Sequence, residues 1–137
     1  MTSRTPIAGL LAMLAAASVP AAVADAQAPR WRELGKTSVG NTVFVDRRSV
    51  KRDSGIVTAT LRVVMTKPVA TPKGGITSSR TVAMLDCAKR LVAVKENTYF
   101  IDEKTNSIYQ QSKVGKPGFG PAIKGTLPDV ALNELCK

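Results

Sequence analysis

The two cysteines of this 137-residue chain, Cys87 and Cys136, constrain its fold more than any other feature, because they follow a segment typical of a secretory signal. Exported proteins meet an oxidising compartment, and two cysteines allow only one intramolecular pairing. We therefore predict a Cys87–Cys136 disulfide, with two buried free thiols as the alternative. On the chain-entropy model, a closed loop of about 50 residues contributes roughly 4 kcal/mol.

The N-terminal segment has the parts of a secretory signal peptide. Arg4 supplies positive charge, an apolar stretch covers residues 7–19, and small residues follow Pro20. The Ala-Asp-Ala pattern at 24–26 predicts cleavage after Ala26, which gives a signal over residues 1–26 and one mature domain over residues 27–137. No stretch reaches the roughly 20 apolar residues of a membrane span. Since no cysteine is available for lipid attachment, we expect a periplasmic or secreted protein without a lipid anchor.

The chain is strongly basic, with 20 basic and 10 acidic residues and a formal net charge of +10. Such a charge favours anionic partners. The densest cluster comprises four cations within six residues: Arg47, Arg48, Lys51 and Arg52. We predict that this cluster binds an anionic partner, with a solvated charged surface as the alternative. Specific nucleic-acid binding is disfavoured, because the aromatic residues do not interleave with the basic ones.

Histidine is absent from the whole chain. Its absence excludes Ser-His-Asp and Cys-His nucleophilic sites, His-ligated zinc and the commonest haem ligand. We therefore expect no enzyme and no cofactor. Asp46 and Ser49 could form a polar site, but an Asp at a strand end more often accepts backbone hydrogen bonds in an Asx-type turn. We interpret the pair as such a turn.

Alternating apolar and polar residues predict an antiparallel sheet of about six strands. The clearest alternation covers residues 56–66, with a turn at 53–55 before it. Residues 67–77 contain two prolines and two glycines, which predicts an exposed loop. The predicted strands are 31–36, 41–46, 56–66, 78–87, 91–101 and 107–112.

A short helix is predicted at the C-terminal end, after a Gly- and Pro-rich loop over residues 114–125. Thr126 is a candidate N-cap, and Asp129 follows three residues later, close to a capping box. Ala131, Leu132 and Leu135 recur at helical spacing. The predicted fold class is therefore α+β, with this helix attached to the sheet by the disulfide.

The order of these features resembles the bacterial surface-adhesin protein E family, small exported proteins of Gram-negative bacteria. The matching elements lie at Trp31, at Val-Asp-x-x-Ser over residues 45–49, at Asp86-Cys87 and at Cys136. The resemblance implies an antiparallel sheet of about six strands with a C-terminal helix. In the best-known member the domain is a surface lipoprotein that binds host matrix proteins and haem.

The sequence therefore predicts a non-enzymatic exported binding module. Its expected partner is an anionic glycan, lipopolysaccharide or a host-matrix protein. A structural or stress-related periplasmic envelope protein without a dedicated ligand is the alternative. The strand at 107–112 carries no charge, so it lacks the usual protection of a sheet edge and could pair in a homodimer. An interior position in the sheet is the other interpretation of this strand.

Overall fold

The computed structural model describes residues 29–137, so the predicted signal peptide and its cleavage site lie outside the described residues. The described chain forms one antiparallel sheet, one α-helix and one short 3-10 helix, which confirms the predicted fold class. The main strands are hydrogen-bonded in the order β1-β2-β4-β5-β6-β7, while β3 pairs with β4 and β8 pairs with β6. The elements are β1 (Trp31–Lys36), β2 (Thr42–Asp46), a 3-10 helix (Arg47–Ser49), β3 (Lys51–Asp53), β4 (Ile56–Thr71), β5 (Gly74–Asp86), β6 (Leu91–Asp102), β7 (Ser107–Lys113), β8 (Gly120–Pro121) and α1 (Leu127–Leu135).

The core lies between α1 and one face of the sheet, which we call the core face. Successive side chains of a strand point to opposite faces, and the odd-numbered apolar residues of β4 from 57 to 63 are buried, as the alternation predicts. They pack with Val43 and Val45 of β2 and with the apolar side of α1. The helix residues in this cluster are Ala131, Leu132 and Leu135.

The helix begins at Leu127 with Thr126 as its N-cap residue, but the capping hydrogen bond is absent, which corrects the predicted capping box. The hydroxyl of Thr126 donates instead to the carbonyl oxygen of Ile123. Asp129 turns back and accepts the backbone N–H of Gly125 at 2.8 Å. The carboxylate at the third helical position therefore binds the chain just before the helix, where the helix dipole also favours negative charge.

The predicted loop over residues 67–77 is wrong, because β4 and β5 continue through it as a hairpin with a two-residue turn. The pairing register shifts between Val64 and Val69, and Pro68 lies in that irregular stretch, where a missing N–H costs no ladder hydrogen bond. A Cβ added at Gly75 would lie 2.7 Å from the Cβ of Pro68. The proline ring therefore fits because Gly75 has no side chain.

The opposite face of the sheet, which we call the open face, carries no helix in the described chain, since α1 contacts β1, β2 and β4 from the core side. The open-face side chains of β4 and β5 alternate with the buried ones and include Thr60, Arg62 and Arg80. Within residues 29–137 no helix is both long and apolar enough to cross a bilayer.

Candidate anion-binding surface

The predicted disulfide is present, and it joins Cys87, just after β5, to Cys136, just after α1. The two Cα atoms are 5.4 Å apart, within the usual range for a bridged pair. Both cysteines are partly buried against the core cluster. The bond therefore holds the end of the helix on the sheet and has a structural role.

The four cations predicted to bind an anion lie together at one end of the sheet. Arg47 and Arg48 belong to the 3-10 helix, and Lys51 and Arg52 belong to β3. All four side chains are exposed, and none of them forms an ion pair with any of the residues from 29 to 137. We call these four residues the basic turn. Whether it binds a ligand stays a prediction, since the geometry shows only that the charges are grouped and unpaired.

Asp46 holds the basic turn in place. Its side chain is buried, with a residue exposure of 5%, and accepts the backbone N–H of Arg48 at 3.0 Å. Ser49 donates to the Asp46 carbonyl oxygen at 2.7 Å, so the Asx-type turn predicted from the sequence is present. Arg30 donates a further hydrogen bond to the carboxylate at 2.9 Å. Burial acts to raise the pKa of Asp46, but the hydrogen bonds and charges of Arg30 and Arg48 outweigh it and lower the pKa.

Trp31 connects the basic turn to a second group of cations on the open face. It lies on the edge strand β1, directly opposite Asp46 of β2. Three guanidinium groups approach its ring, with their central carbons 5.5, 5.9 and 5.6 Å from the ring centre. They belong to Arg30, Arg62 and Arg80. At these distances the cations are attracted to the ring face. The contacts of Trp31 with three arginines were not predicted from the sequence.

Glu103, in the turn after β6, joins two of these arginines. Its carboxylate accepts from Arg62 Nε at 2.7 Å and from Arg80 Nε at 2.6 Å. Ser78 donates to the same carboxylate at 3.1 Å. Burial acts to raise the pKa of Glu103, whereas the hydrogen bonds from the two arginines lower it, and the lowering is the larger effect. The carboxylate is therefore held in its ionised form.

Sequence analysis missed this second cluster because its members are far apart along the chain. Glu103 lies 41 residues after Arg62 and 23 residues after Arg80. The one available signal was the placement of both arginines on the polar side of neighbouring predicted strands. That signal indicates a shared face but contains no information on the register that brings the two together.

The core face carries a separate open cleft of about 600 Å³ beside the start of α1. Its floor is formed by β5 and β6, where Thr81 donates a hydrogen bond to Asn97 at 2.8 Å. Met65 and Leu127 contribute apolar walls, and no Asp, Glu, Lys or Arg from residues 29–137 lines the cleft. This cleft offers hydrogen bonds and apolar contact, whereas the open face and the basic turn offer charge.

Comparisons with known proteins agree with this fold. A family model for surface-adhesin protein E matches residues 31–137. The crystal structure of protein E from non-typeable Haemophilus influenzae is similar at a TM-score of 0.51 and 16% identity, covering 80% of this chain and 76% of that chain. The selenomethionine form of Haemophilus influenzae protein E gives the same TM-score and identity, covering 80% of this chain and 87% of that one. A comparison with curated protein sequences returned no match.

Proposed function

This chain belongs to the surface-adhesin protein E family, and we propose that it is a non-enzymatic exported binding module for an anionic polymer or an acidic protein at the cell envelope or in the host matrix. We further propose that it acts in the periplasm or outside the cell. The family supports the role of adhesin in general, and the charge of this chain supports the choice of an anionic partner.

The exposure of the basic turn is the observation that carries this proposal. Four cations lie on a short 3-10 helix and the strand after it, and buried Asp46 fixes the backbone that carries the first two. A rigid backbone lowers the entropy that is lost when several cations engage one polymer. Because the four charges have no acidic partner within residues 29–137, no internal ion pair has to break before a polymer binds.

The test measures retention of the mature protein on immobilised heparin and on lipopolysaccharide as salt is increased. We expect retention to fall steeply with salt, because exposed charges are screened. The variant R47S/R48S/K51S/R52S should elute at clearly lower salt than the wild type. The matched control K67S/K73S/K116S/K124S removes four lysines that are exposed elsewhere: Lys67 in β4, Lys73 in the β4–β5 turn, and Lys116 and Lys124 before α1.

The two variants have the same net charge, so a difference between them reports the site and not the total charge. Earlier elution of the basic-turn variant than of the control supports the proposal. Equal elution of the two variants would mean that net charge alone controls retention, and retention that does not change with salt would reject an electrostatic partner. Either of these results would favour an envelope protein without a dedicated ligand.

We also propose that the domain can pair with a second copy through β7. This strand ends the hydrogen-bonded order of the sheet, so its outer N–H and C=O groups are unpaired within the described sheet. The alternative interpretation of this strand, an interior position in the sheet, is therefore wrong. Exposed edges of this kind pair readily with another strand.

A further inference from the structure

Arg62 and Arg80 lie directly opposite each other on β4 and β5. Like charges at directly opposed positions of an antiparallel pair are destabilising. Glu103 compensates for one of the two charges, so the group retains a net positive charge. A position that concentrates positive charge at a cost in stability is a candidate binding site.

The free hydrogen-bonding edges of the two arginines point to an anion. Glu103 accepts a hydrogen bond from the Nε of each guanidinium. Within residues 29–137, no residue other than Glu103 accepts a hydrogen bond from the terminal nitrogens of Arg62 or Arg80. Those nitrogens form the planar fork that binds carboxylate or sulfate oxygens in pairs. Two forks are thus held beside each other with no acceptor other than Glu103 in the described chain.

Aromatic rings fix the orientation of these forks. The guanidinium carbon of Arg80 lies 5.5 Å from the ring centre of Phe100 and 5.6 Å from that of Trp31. That of Arg62 lies 5.9 Å from the ring centres of Phe44 and Trp31. Stacked guanidinium groups lose less side-chain entropy when they bind, so the pair is preorganised. The side chain of Arg80 is nevertheless 42% exposed and accessible to a ligand.

The surroundings of the pair indicate an anionic group carried by an otherwise neutral molecule. A cleft of about 310 Å³ is lined by Trp31, the two arginines, Glu103 and Lys104. Two further clefts of about 400 Å³ each share one of the arginines with it, Arg62 in one and Arg80 in the other. These flanking clefts contain hydroxyl, amide and apolar side chains, among them Ser78, Thr98 and Gln111, together with the carboxylates of Asp102 and Glu96, which disfavour a second anionic group there. Hydroxyl and amide groups next to apolar surface suit sugar rings between charged groups.

We infer that Arg62 and Arg80, held by Glu103, form a subsite for one sulfate or carboxylate group of an acidic glycan. This inference rests on the proposed function and names the polymer as a glycan. The basic turn supplies long-range attraction, and the arginine pair supplies paired hydrogen bonds to one oxyanion. A polymer with a charge on every unit and no neutral ring would use the basic turn and leave the flanking clefts empty.

Trp31 provides the measurement, because it is the only tryptophan of the chain and contacts both arginines. Its fluorescence in the mature protein is followed during titration with a monosaccharide sulfate, a uronic acid and the corresponding neutral sugar, at fixed ionic strength. We expect a saturable change with one or both acidic sugars and none with the neutral sugar. Comparison of the titrations with the sugar sulfate and with the uronic acid shows whether sulfate or carboxylate is the preferred group.

The variant R62K/R80K keeps both charges and an ammonium partner for Glu103 but removes the forks. We expect it to weaken binding of the acidic sugar about ten-fold, at an unchanged midpoint of thermal unfolding. Should the double variant fail to fold, R80K alone changes the more exposed arginine and should weaken binding in the same direction. The basic-turn variant R47S/R48S/K51S/R52S should retain the response to monosaccharides.

Three results would overturn the subsite: no saturable response to either acidic sugar, an equal response to the neutral sugar, or an undiminished response in a folded Arg-to-Lys variant. If heparin retention by the basic turn persisted alongside any of them, the subsite alone would be rejected. If heparin retention were lost and the monosaccharide response remained, the proposed role of the basic turn would be rejected instead.

Discussion

The hydroxyl of Ser49 donates to the carbonyl oxygen of Asp46 at 2.7 Å and accepts the backbone N–H of Thr60 at 2.8 Å. One hydroxyl thus connects the end of β2 to Thr60 of β4, which lies eleven residues after Ser49. This explains the Val-Asp-x-x-Ser pattern in structural terms. The Asp fixes the turn, and the Ser attaches the turn to the sheet.

Replacing Ser49 by Ala should destabilise the domain by about 1–3 kcal/mol, because the N–H of Thr60 loses its acceptor. Urea unfolding at neutral pH measures the change. The matched control is S54A, since the Ser54 hydroxyl is exposed and donates only to its neighbour Asp53. If S49A and S54A lose the same small amount of stability, water replaces the hydroxyl and the link between β2 and β4 is dispensable.

The disulfide should contribute roughly 4 kcal/mol to the free energy of unfolding, since it closes a long loop and attaches a nine-residue helix that would be marginal alone. The comparison is between urea unfolding with and without reductant. The variant C87S/C136S should match the reduced wild type. Titration of free thiols in the denatured, unreduced protein should find none, and two reactive thiols would contradict the bond.

The lowered pKa of Glu103 predicts a pH dependence of stability. A carboxyl with a depressed folded pKa contributes stability that is complete above its unfolded value, here the usual 4.5, and is lost as pH falls through the folded pKa. E103Q should therefore be less stable than the wild type at about pH 7, and the difference should narrow as the pH falls below 4.5.

The control for this pH profile is D53N, which removes an exposed carboxylate hydrogen-bonded only by Ser54. The unfolding free energies of D53N and E103Q are compared with that of the wild type over the same pH range. If the difference in unfolding free energy between E103Q and the wild type stayed constant across the acid range, the charge of Glu103 would not be what stabilises the fold at this position.

Self-pairing through β7 should be sensitive to Ile108, an apolar residue that is 40% exposed on this edge strand. We expect the wild type to associate with increasing concentration in sedimentation experiments and I108K to remain monomeric, because an edge lysine opposes pairing. V69K places the same charge at an exposed valine in the hairpin, away from β7. If the wild type stays monomeric at high concentration, the proposed pairing through β7 is rejected.

The strand pattern was predictable wherever one face of a strand is buried. The alternation from Val57 to Val63 identified the side of β4 that faces the core, because these odd-numbered side chains belong to one buried cluster with β2 and α1. The hairpin after Met65 was not predictable in this way. Its residues up to Ala70 are largely exposed, so no alternation marks them, and the fit of Pro68 to Gly75 depends on a register that the sequence does not contain.

The same distinction applies to the candidate surface. The basic turn was visible because its four cations are close along the chain. The arginine pair depends on the register of β4 and β5, which places residues 62 and 80 opposite each other, and on a turn after β6 that brings Glu103 to both. Local patterns predict which face a side chain occupies, whereas the partners on that face are decided by tertiary contacts.

The contact between α1 and β1 has a consequence for the order of folding. The last helix packs against the first two strands of the sheet and against β4, so the core cannot close until nearly the whole domain has been synthesised. The β4–β5 and β5–β6 hairpins need only sequence-local pairing and can form earlier. Until α1 has been synthesised, the growing chain therefore exposes the apolar face of its sheet. During that interval, chaperones or rapid completion of folding are needed to prevent aggregation.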